Sequence, residues 1–524
     1  MKKILTLTLA VIMILAAFST LTVGATEDKI PVSYYSGKAD TSWYDAAKIK
    51  TEYHITSADQ LAGLSKIVAA GQKFAGVTFY LDCDIVWNDG KLTMDENGMP
   101  LYKGRPVSDK NKPLDYTPIG QYPELNTAND PGLGGNYFFG NFDGQGHVIS
   151  GLYVNEPTKI AVGLFTLFAG DYIKDLSIVN SYFGSFARSG SFAGFVYTIK
   201  EKGNNNTVGS RLSGLYSDAM VVAFNETDGQ NGRIGGIAGF LISANYGSAR
   251  AKSNGCIQIV ENCWFAGSIQ HIKGTRYSGG IIGVVAAGNT SNKVEAHINN
   301  CLMTGGIYMG LDKAEELRVG GILGNIWQGT VTLKNCISAI SDTNVLENNY
   351  FNTTNEGKSL FVGCQESQPA HVIHENCFYT PIGRFNHCVP FVFNGGAQST
   401  VTGTPKNFEG DVNKLKTLMG ANGDTFGFDG GKLSVKGLRT AIIGITDSYP
   451  DTVPEEEKPT VTTTAKPDVT TAKPEGGDTA AAPVTETPAT TAGERAKGCT
   501  GFYAASLLSV VAIGAAVIVI KKKD

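Results

Sequence analysis

The chain has 524 residues, more than one ordinary globular core holds unless the architecture is elongated or repetitive. Its 64 glycines and charged fraction of 18% suit an all-β protein with many turns and argue against a helical bundle, because glycine supplies the positive φ that tight turns need. The formal net charge is −4 and the body carries no basic block, which argues against nucleic acid as a partner.

Residues 1–25, "MKKILTLTLAVIMILAAFSTLTVGA", join two lysines, an apolar run from Ile4 to Phe18 and a small-residue end. That is the layout of a secretory signal peptide, with cleavage expected after Ala25. Residues 26–110 form an N-terminal α/β cap with an insert. Within them, "YHITSADQLAGLSKIVAAGQKFAGVTFYLDCDIVW" reads as strand, helix, strand: Ser57 caps, Leu61, Leu64 and Val68 mark one helical face, and Gly71 terminates. Asp82 and Asp84 lie two apart, so on one strand both project to one face, with Cys83 opposite. The pair would suit calcium or paired-carboxylate chemistry, but the spacing is not that of an EF-hand loop, and a solvated strand face or corner is the favoured reading.

Residues 111–405 carry the repeats. The segment "NFDGQGHVIS" places Asp143 and His147 four apart among glycines. An acid/base pair is one reading; a turn in which Asp143 caps backbone amides and the glycines take positive φ is the favoured one. Further on, four short apolar runs end in Asn-Cys, at Cys263, Cys301, Cys336 and Cys377, with intervals of 38, 35 and 41 residues. Between them come "RIGGIAGF", "YSGGIIGV" and "RVGGILGN". Strands this short form no core alone, whereas stacked coils share one apolar interior. The asparagine fits a corner, since it tolerates the left-handed conformation and its amide can bond along the stack. Val260, Ile298 and Leu333 precede that corner at an inward-facing position. The expected fold is all-β: a right-handed parallel β-helix (β-solenoid), with a propeller as competitor that would need four strands per repeat of ~40 residues. Setting aside Cys499, eight of the nine cysteines remain for the ectodomain. Four share one repeat position and are read as a ladder of small buried side chains, with disulfides between neighbouring rungs as the alternative.

Several residues near the end of the repeats have metal-binding chemistry: Cys364, His371, His374, Cys377, His387 and Cys388. They are zinc-type ligands without zinc-type spacing: no Cys-x-x-Cys knuckle and no His-Glu-x-x-His occurs among them. Trp264, Trp327 and Tyr308 would stack on sugar rings if exposed, although core packing is the commoner role. Residues 406–449 are assigned to a C-terminal cap region. Residues 450–498, rich in Thr and Pro, cannot bury enough apolar surface to offset chain entropy and form a disordered stalk. Residues 499–520 hold the uncharged run Phe502–Ile520, 19 residues that just cross a hydrocarbon core of roughly 30 Å. Residues 521–524, opening with three lysines, remain in the cytoplasm.

The succession "ITSADQLAGL", "TPIG", "FFGNFDGQGHVISGL", "GLF" and "GGI-x-G" resembles the GLUG-motif surface proteins, pectate-lyase-like β-helices of Gram-positive gut bacteria and adhesin-like proteins. The tail "KGCTGFYAASLLSVVAIGAAVIVIKKKD" is similar to the membrane anchors of clostridial surface proteins. The resemblance covers residues 51–345 best and implies the fold but no single chemistry. Two departures stand out: Gly163-Leu164-Phe165-Thr166 replaces Gly-Leu-Phe-Gly, and no Leu-Pro-x-Thr-Gly sorting signal occurs. The sequence therefore names no catalytic, cofactor-binding or metal residue. It leads to a non-enzymatic, adhesin-like module anchored once in the cell membrane with its ectodomain outside. Its expected partners are glycans or surface proteins of a host or of neighbouring bacteria. The alternative is an extracellular polysaccharide lyase or glycoside hydrolase working in a groove along the helix.

Overall fold

A computed structural model describes residues 30–122, 135–198, 208–224, 232–243, 257–272, 277–287, 295–309, 318–326, 329–341, 358–365, 370–381, 392–393 and 400–446. They belong to the first of two units, 1–455 and 456–524. The expected signal peptide, stalk and membrane span lie outside the described residues, among which no helix is long and apolar enough to cross a membrane.

Among the described residues the architecture is mostly β, with strands in 17-, 7-, 6- and 5-stranded sheets whose pairings are parallel. Two α-helices accompany them: α1 (Ala58–Ala69) and α2 (Val412–Met419). The expected cap helix is α1, and Ser57 closes it by accepting the Gln60 N–H at 3.2 Å. Leu61, Leu64 and Val68 are buried in the main core.

Successive repeats pair in strict register. Ile257–Glu261 pairs with Glu295–Asn299, that strand with Thr330–Lys334, and that in turn with His371–Glu375. Burial alternates residue by residue along these strands, as the two-residue period of a pleated strand requires. Val260, Ile298 and Leu333 consequently stack inward, one above another, within a core that extends from Tyr53 to Tyr379.

Each of these strands ends in a corner. Asn262, Asn300, Asn335 and Asn376 have φ of 55, 52, 54 and 53°, the left-handed conformation that asparagine tolerates better than other residues with a Cβ. Their amides form a continuous ladder: Asn300 Nδ2 donates to Asn262 Oδ1 at 3.0 Å, Asn335 to Asn300 at 3.0 Å, and Asn376 to Asn335 at 2.9 Å. The cysteines that follow are buried, and those at 263, 301, 336 and 377 are free thiols. Cys336 Sγ donates to the Ile298 carbonyl at 3.1 Å and Cys377 Sγ to that of Leu333 at 3.2 Å, so each rung bonds to the one before it.

The Gly-Gly pairs answer a different constraint. Arg233–Gly235, Tyr277–Gly279 and Arg318–Gly320 stack in the 6-stranded sheet. A Cβ on Gly236 would overlap the Gly280 carbonyl oxygen, and one on Gly280 would overlap that of Gly321. Neighbouring backbones approach too closely there for any side chain.

The described part of the expected C-terminal cap, residues 406–446, packs on the outer face of the largest sheet. Leu415 and Met419 of α2 cover the outward row Leu302, Ile337 and Phe378. Leu438, Ile442 and Ile445 cover Val86, Val148, Val179 and Tyr216 on the earliest strands. Trp264 lies in this seam, half-buried, its Nε1 donating to Thr304 Oγ1 at 2.7 Å, which fits the packing role.

The corner ladder yields a test. Asn300→Ala loses two amide bonds and places alanine at positive φ, and should cost about 2–3 kcal/mol in urea unfolding. Asn300→Gly keeps the conformation and should lose roughly half as much. Equal losses in the two variants would show that the backbone angle contributes nothing.

Candidate functional site

The structure separates the residues that the sequence grouped. Asp143 caps a local backbone amide as expected, its Oδ1 accepting the Gln145 N–H at 3.0 Å while its carboxylate meets Lys174 Nζ at 2.9 Å, but the expected corner is a bulge within one strand, Asn141–Ser150. Positive φ falls on Gln145 (51°) and Gly146 (79°), not on Gly144, where a Cβ would overlap the Asp175 carbonyl. His147 has a different partner from its sequence neighbour. Its Nδ1 lies 3.0 Å from Asp84 Oδ1.

The expectation that Asp82 and Asp84 share one strand face is corrected. One strand ends at Leu81, the chain bends at Cys83, and Asp84 opens the next strand. Asp82 is partly exposed and pairs with His54 Nδ1 at 2.8 Å. Asp84 is not on a solvated face but fully buried. It accepts from the Val148 N–H at 3.0 Å and holds Arg439 through two bonds of 2.7 Å. Burial pushes its carboxyl up. The hydrogen bonds from His147, Arg439 and Val148, together with the guanidinium charge, outweigh that and hold it below the usual value.

Of the zinc-type residues, strand periodicity sends His371 and His374 to opposite sides. His371 is outside, 3.1 Å from Thr402 Oγ1. His374 points inward at the position Leu333 occupies one repeat earlier, and burial lowers its pKa to about 4. Cys377 belongs to the thiol stack, where burial keeps it well above the ordinary thiol value. Cys364 is on a strand of the 7-stranded sheet, and His387 and Cys388 lie outside the described residues. Among the described residues no three His, Cys, Asp or Glu side chains are grouped to hold a metal.

A cavity of about 770 Å³ is built instead from three remote segments. The first wall is a hairpin, Leu92–Met94 with Pro100–Tyr102 and Arg105–Pro106, inserted after the early strands. Leu92 and Tyr102 pack on Tyr153, Tyr182, Met220 and Val222 of the 5-stranded sheet. Tyr182 donates its hydroxyl to the Gly98 carbonyl at 3.0 Å, and Gln270 Nε2 reaches the Glu96 carbonyl at 3.2 Å. The second wall is that sheet and its corners, with Asn180, Asp218, Gln270 and Tyr308. The third is the returning segment, which adds Thr440, Ala441 and Thr446 and is pinned by the Arg439–Asp84 pair across 355 residues.

Asn180 joins hairpin to floor. At φ 47° its side chain accepts from the Leu92 N–H at 2.8 Å and donates to the Gly90 carbonyl at 2.9 Å, while its own N–H donates to Asp218 Oδ1 at 2.7 Å. Burial raises Asp218 to about 6, with backbone bonds from Asn180 and from its own N–H pulling the other way. Among the described residues no cation pairs with it. A half-desolvated, uncompensated carboxyl in a polar cavity is the kind of strained group that marks functional sites. Of the cavity residues, sequence reasoning had singled out only Tyr308. The available signals were an aspartate interrupting "LYSDAMVVAF" and an arginine interrupting "GLRTAIIGI".

Comparison with known proteins adds little. No protein-family model and no curated protein matches the chain. A solved structure described as a "putative immunoglobulin A1 protease" from Bacteroides ovatus is similar at 17% identity, over 75% of this chain and 94% of that one. Its TM-score is 0.42, and the likeness carries no argument about this chain.

Two measurements probe this region. Arg439→Ala leaves Asp84 buried without its main counter-charge and should cost about 3–5 kcal/mol, seen as fast hydrogen exchange across 438–446. Because Asp84 is depressed in the folded state, the clasp's contribution is present above the ordinary carboxyl pKa and is lost as pH falls through the lower folded value. Asp218 has the opposite sign. Its raised pKa makes stability fall as pH rises from the ordinary carboxyl value to about 6. Asp218→Asn should therefore raise the Tm at pH 7.5 and leave it unchanged at pH 3.5.

Proposed function

We propose that this chain is a cell-surface binding module that takes sugar units of a host or microbial glycan in the composite cavity. Its body is a right-handed parallel β-helix of the GLUG-motif kind, exported by residues 1–25. The stalk 450–498 raises it from a single span at 499–520, and residues 521–524 remain inside. In-register parallel pairing from one repeat to the next, with its inward aliphatic row and asparagine corners, supports the solenoid reading.

The observation that carries the binding reading is the cavity itself. Its volume is within the roughly 300–1,000 Å³ typical of small-ligand sites. Its walls offer an amide, a phenol, hydroxyls and an uncompensated carboxyl at Gln270, Tyr308, Thr440, Thr446 and Asp218. Polyhydroxylated ligands are recognised by such a mixture, with hydrogen-bonding groups fixing orientation and a ring to stack on.

One observation favours a second reading, a glycan hydrolase or lyase. With a pKa of about 6, Asp218 holds and gives a proton near neutrality, as a general acid must. Asp95 and Glu96 on the hairpin wall would have to supply the second carboxylate that hydrolysis needs.

The two separate by incubating the detergent-solubilised full chain with a glycan panel and reading both retention and chain cleavage. Retention without products is expected. Turnover that disappears in Asp218→Asn would replace the binding reading with the enzymatic one. Neither retention nor cleavage would remove both.

A further inference from the structure

Resting on the reading of the cavity as a glycan site, we infer that its preferred ligand carries a protonated amine, an amino sugar, and that the Asp218 carboxylate is the counter-ion. The charge facing the cavity is unbalanced. The hairpin contributes Asp95 and Glu96 against Lys91, the strand corners contribute Asp218, and the returning segment contributes the neutral Thr440, Ala441 and Thr446. Asn180, Gln270 and Tyr308 complete the polar lining without a formal charge.

The acids are not equivalent. Asp95 is committed to its own turn, with Oδ1 accepting the Asn97 and Met99 N–H groups at 2.8 and 2.9 Å. Asp218 accepts the Asn180 N–H on Oδ1 and a bond from its own N–H, and no cation pairs with it among the described residues. Arg439, the nearest cation by sequence on the returning segment, is bound to Asp84 through both terminal nitrogens. A partly buried charge without a counter-charge is costly, and an ammonium from the ligand removes that cost, whereas a hydroxyl supplies only one hydrogen bond. A neutral or N-acetylated sugar leaves the carboxylate uncompensated, so the site discriminates by charge as well as by shape.

The titration follows the same geometry. Lys91, Asp95, Glu96 and Tyr308 share the cavity lining with Asp218, and the returning segment adds no titratable group to it. Asp218 is then the group that changes charge close to neutrality, and acidification through about 6 discharges the counter-ion.

The experiment is calorimetric binding of a glucosamine tetramer and of an N-acetylglucosamine tetramer to the full chain in detergent, at pH 7.0 and pH 5.0 and constant salt. The glucosamine tetramer should bind at least tenfold tighter at pH 7.0, and the preference should vanish at pH 5.0 and in Asp218→Asn. Equal affinity of the two tetramers at pH 7.0 would overturn the amine assignment while leaving the glycan site standing. A preference that survives in Asp218→Asn also overturns it, since the charge would then be read elsewhere. Binding of neither tetramer, together with no retention on the glycan panel, removes the site itself.

Discussion

When Ile298 is hydrogen-bonded in register between Val260 and Leu333, every other residue of its strand inherits the surroundings of its neighbours above and below. Parallel pairing at fixed register therefore turns a loose sequence repeat into rows of like environment. One row is aliphatic and inward, one is left-handed and asparagine, one is thiol, and one is glycine because the backbones nearly touch. Intervals of 38, 35 and 41 residues are tolerated because length variation is absorbed between strands, not within them.

The rows also explain what the polar residues do. His374 enters the inward row directly after Val260, Ile298 and Leu333, and burial lowers its pKa. His371, an odd number of positions away, is outside. Two histidines that look like neighbouring ligands in one dimension are split by the pleat in three. The same logic frees Asp84 from Asp82, because a bend at Cys83 intervenes and the two carboxylates enter different environments.

The cavity depends on a second level of organisation. The hairpin after residue 90 and the segment after residue 437 are both excursions that pack on the outside of the stack, and each is fastened by a polar bond to a strand corner. Asn180 fastens the hairpin and Asp84 fastens the returning segment through Arg439. Asp218 is held between them by an N–H of the same Asn180. Burial pushes both carboxyls up; it prevails at Asp218, whereas at Asp84 the hydrogen bonds from His147, Arg439 and Val148 and the guanidinium charge outweigh it.

The sequence by itself determined the features that are local or periodic. The α1 cap at Ser57, the inward row, the asparagine corners, the stacked thiols and the capping bond of Asp143 were legible, because each follows from spacing along one strand or one turn, whereas the corner expected at Asp143 is a bulge within one strand. The partner of His147, the burial of Asp84 and the cavity around Asp218 were not legible. Those depend on contacts across 63, 355 and 38 residues, which no local pattern encodes. Tertiary structure decided them by folding the segment after the repeats back onto the earliest strands, where an arginine meets an aspartate buried at the start of its strand.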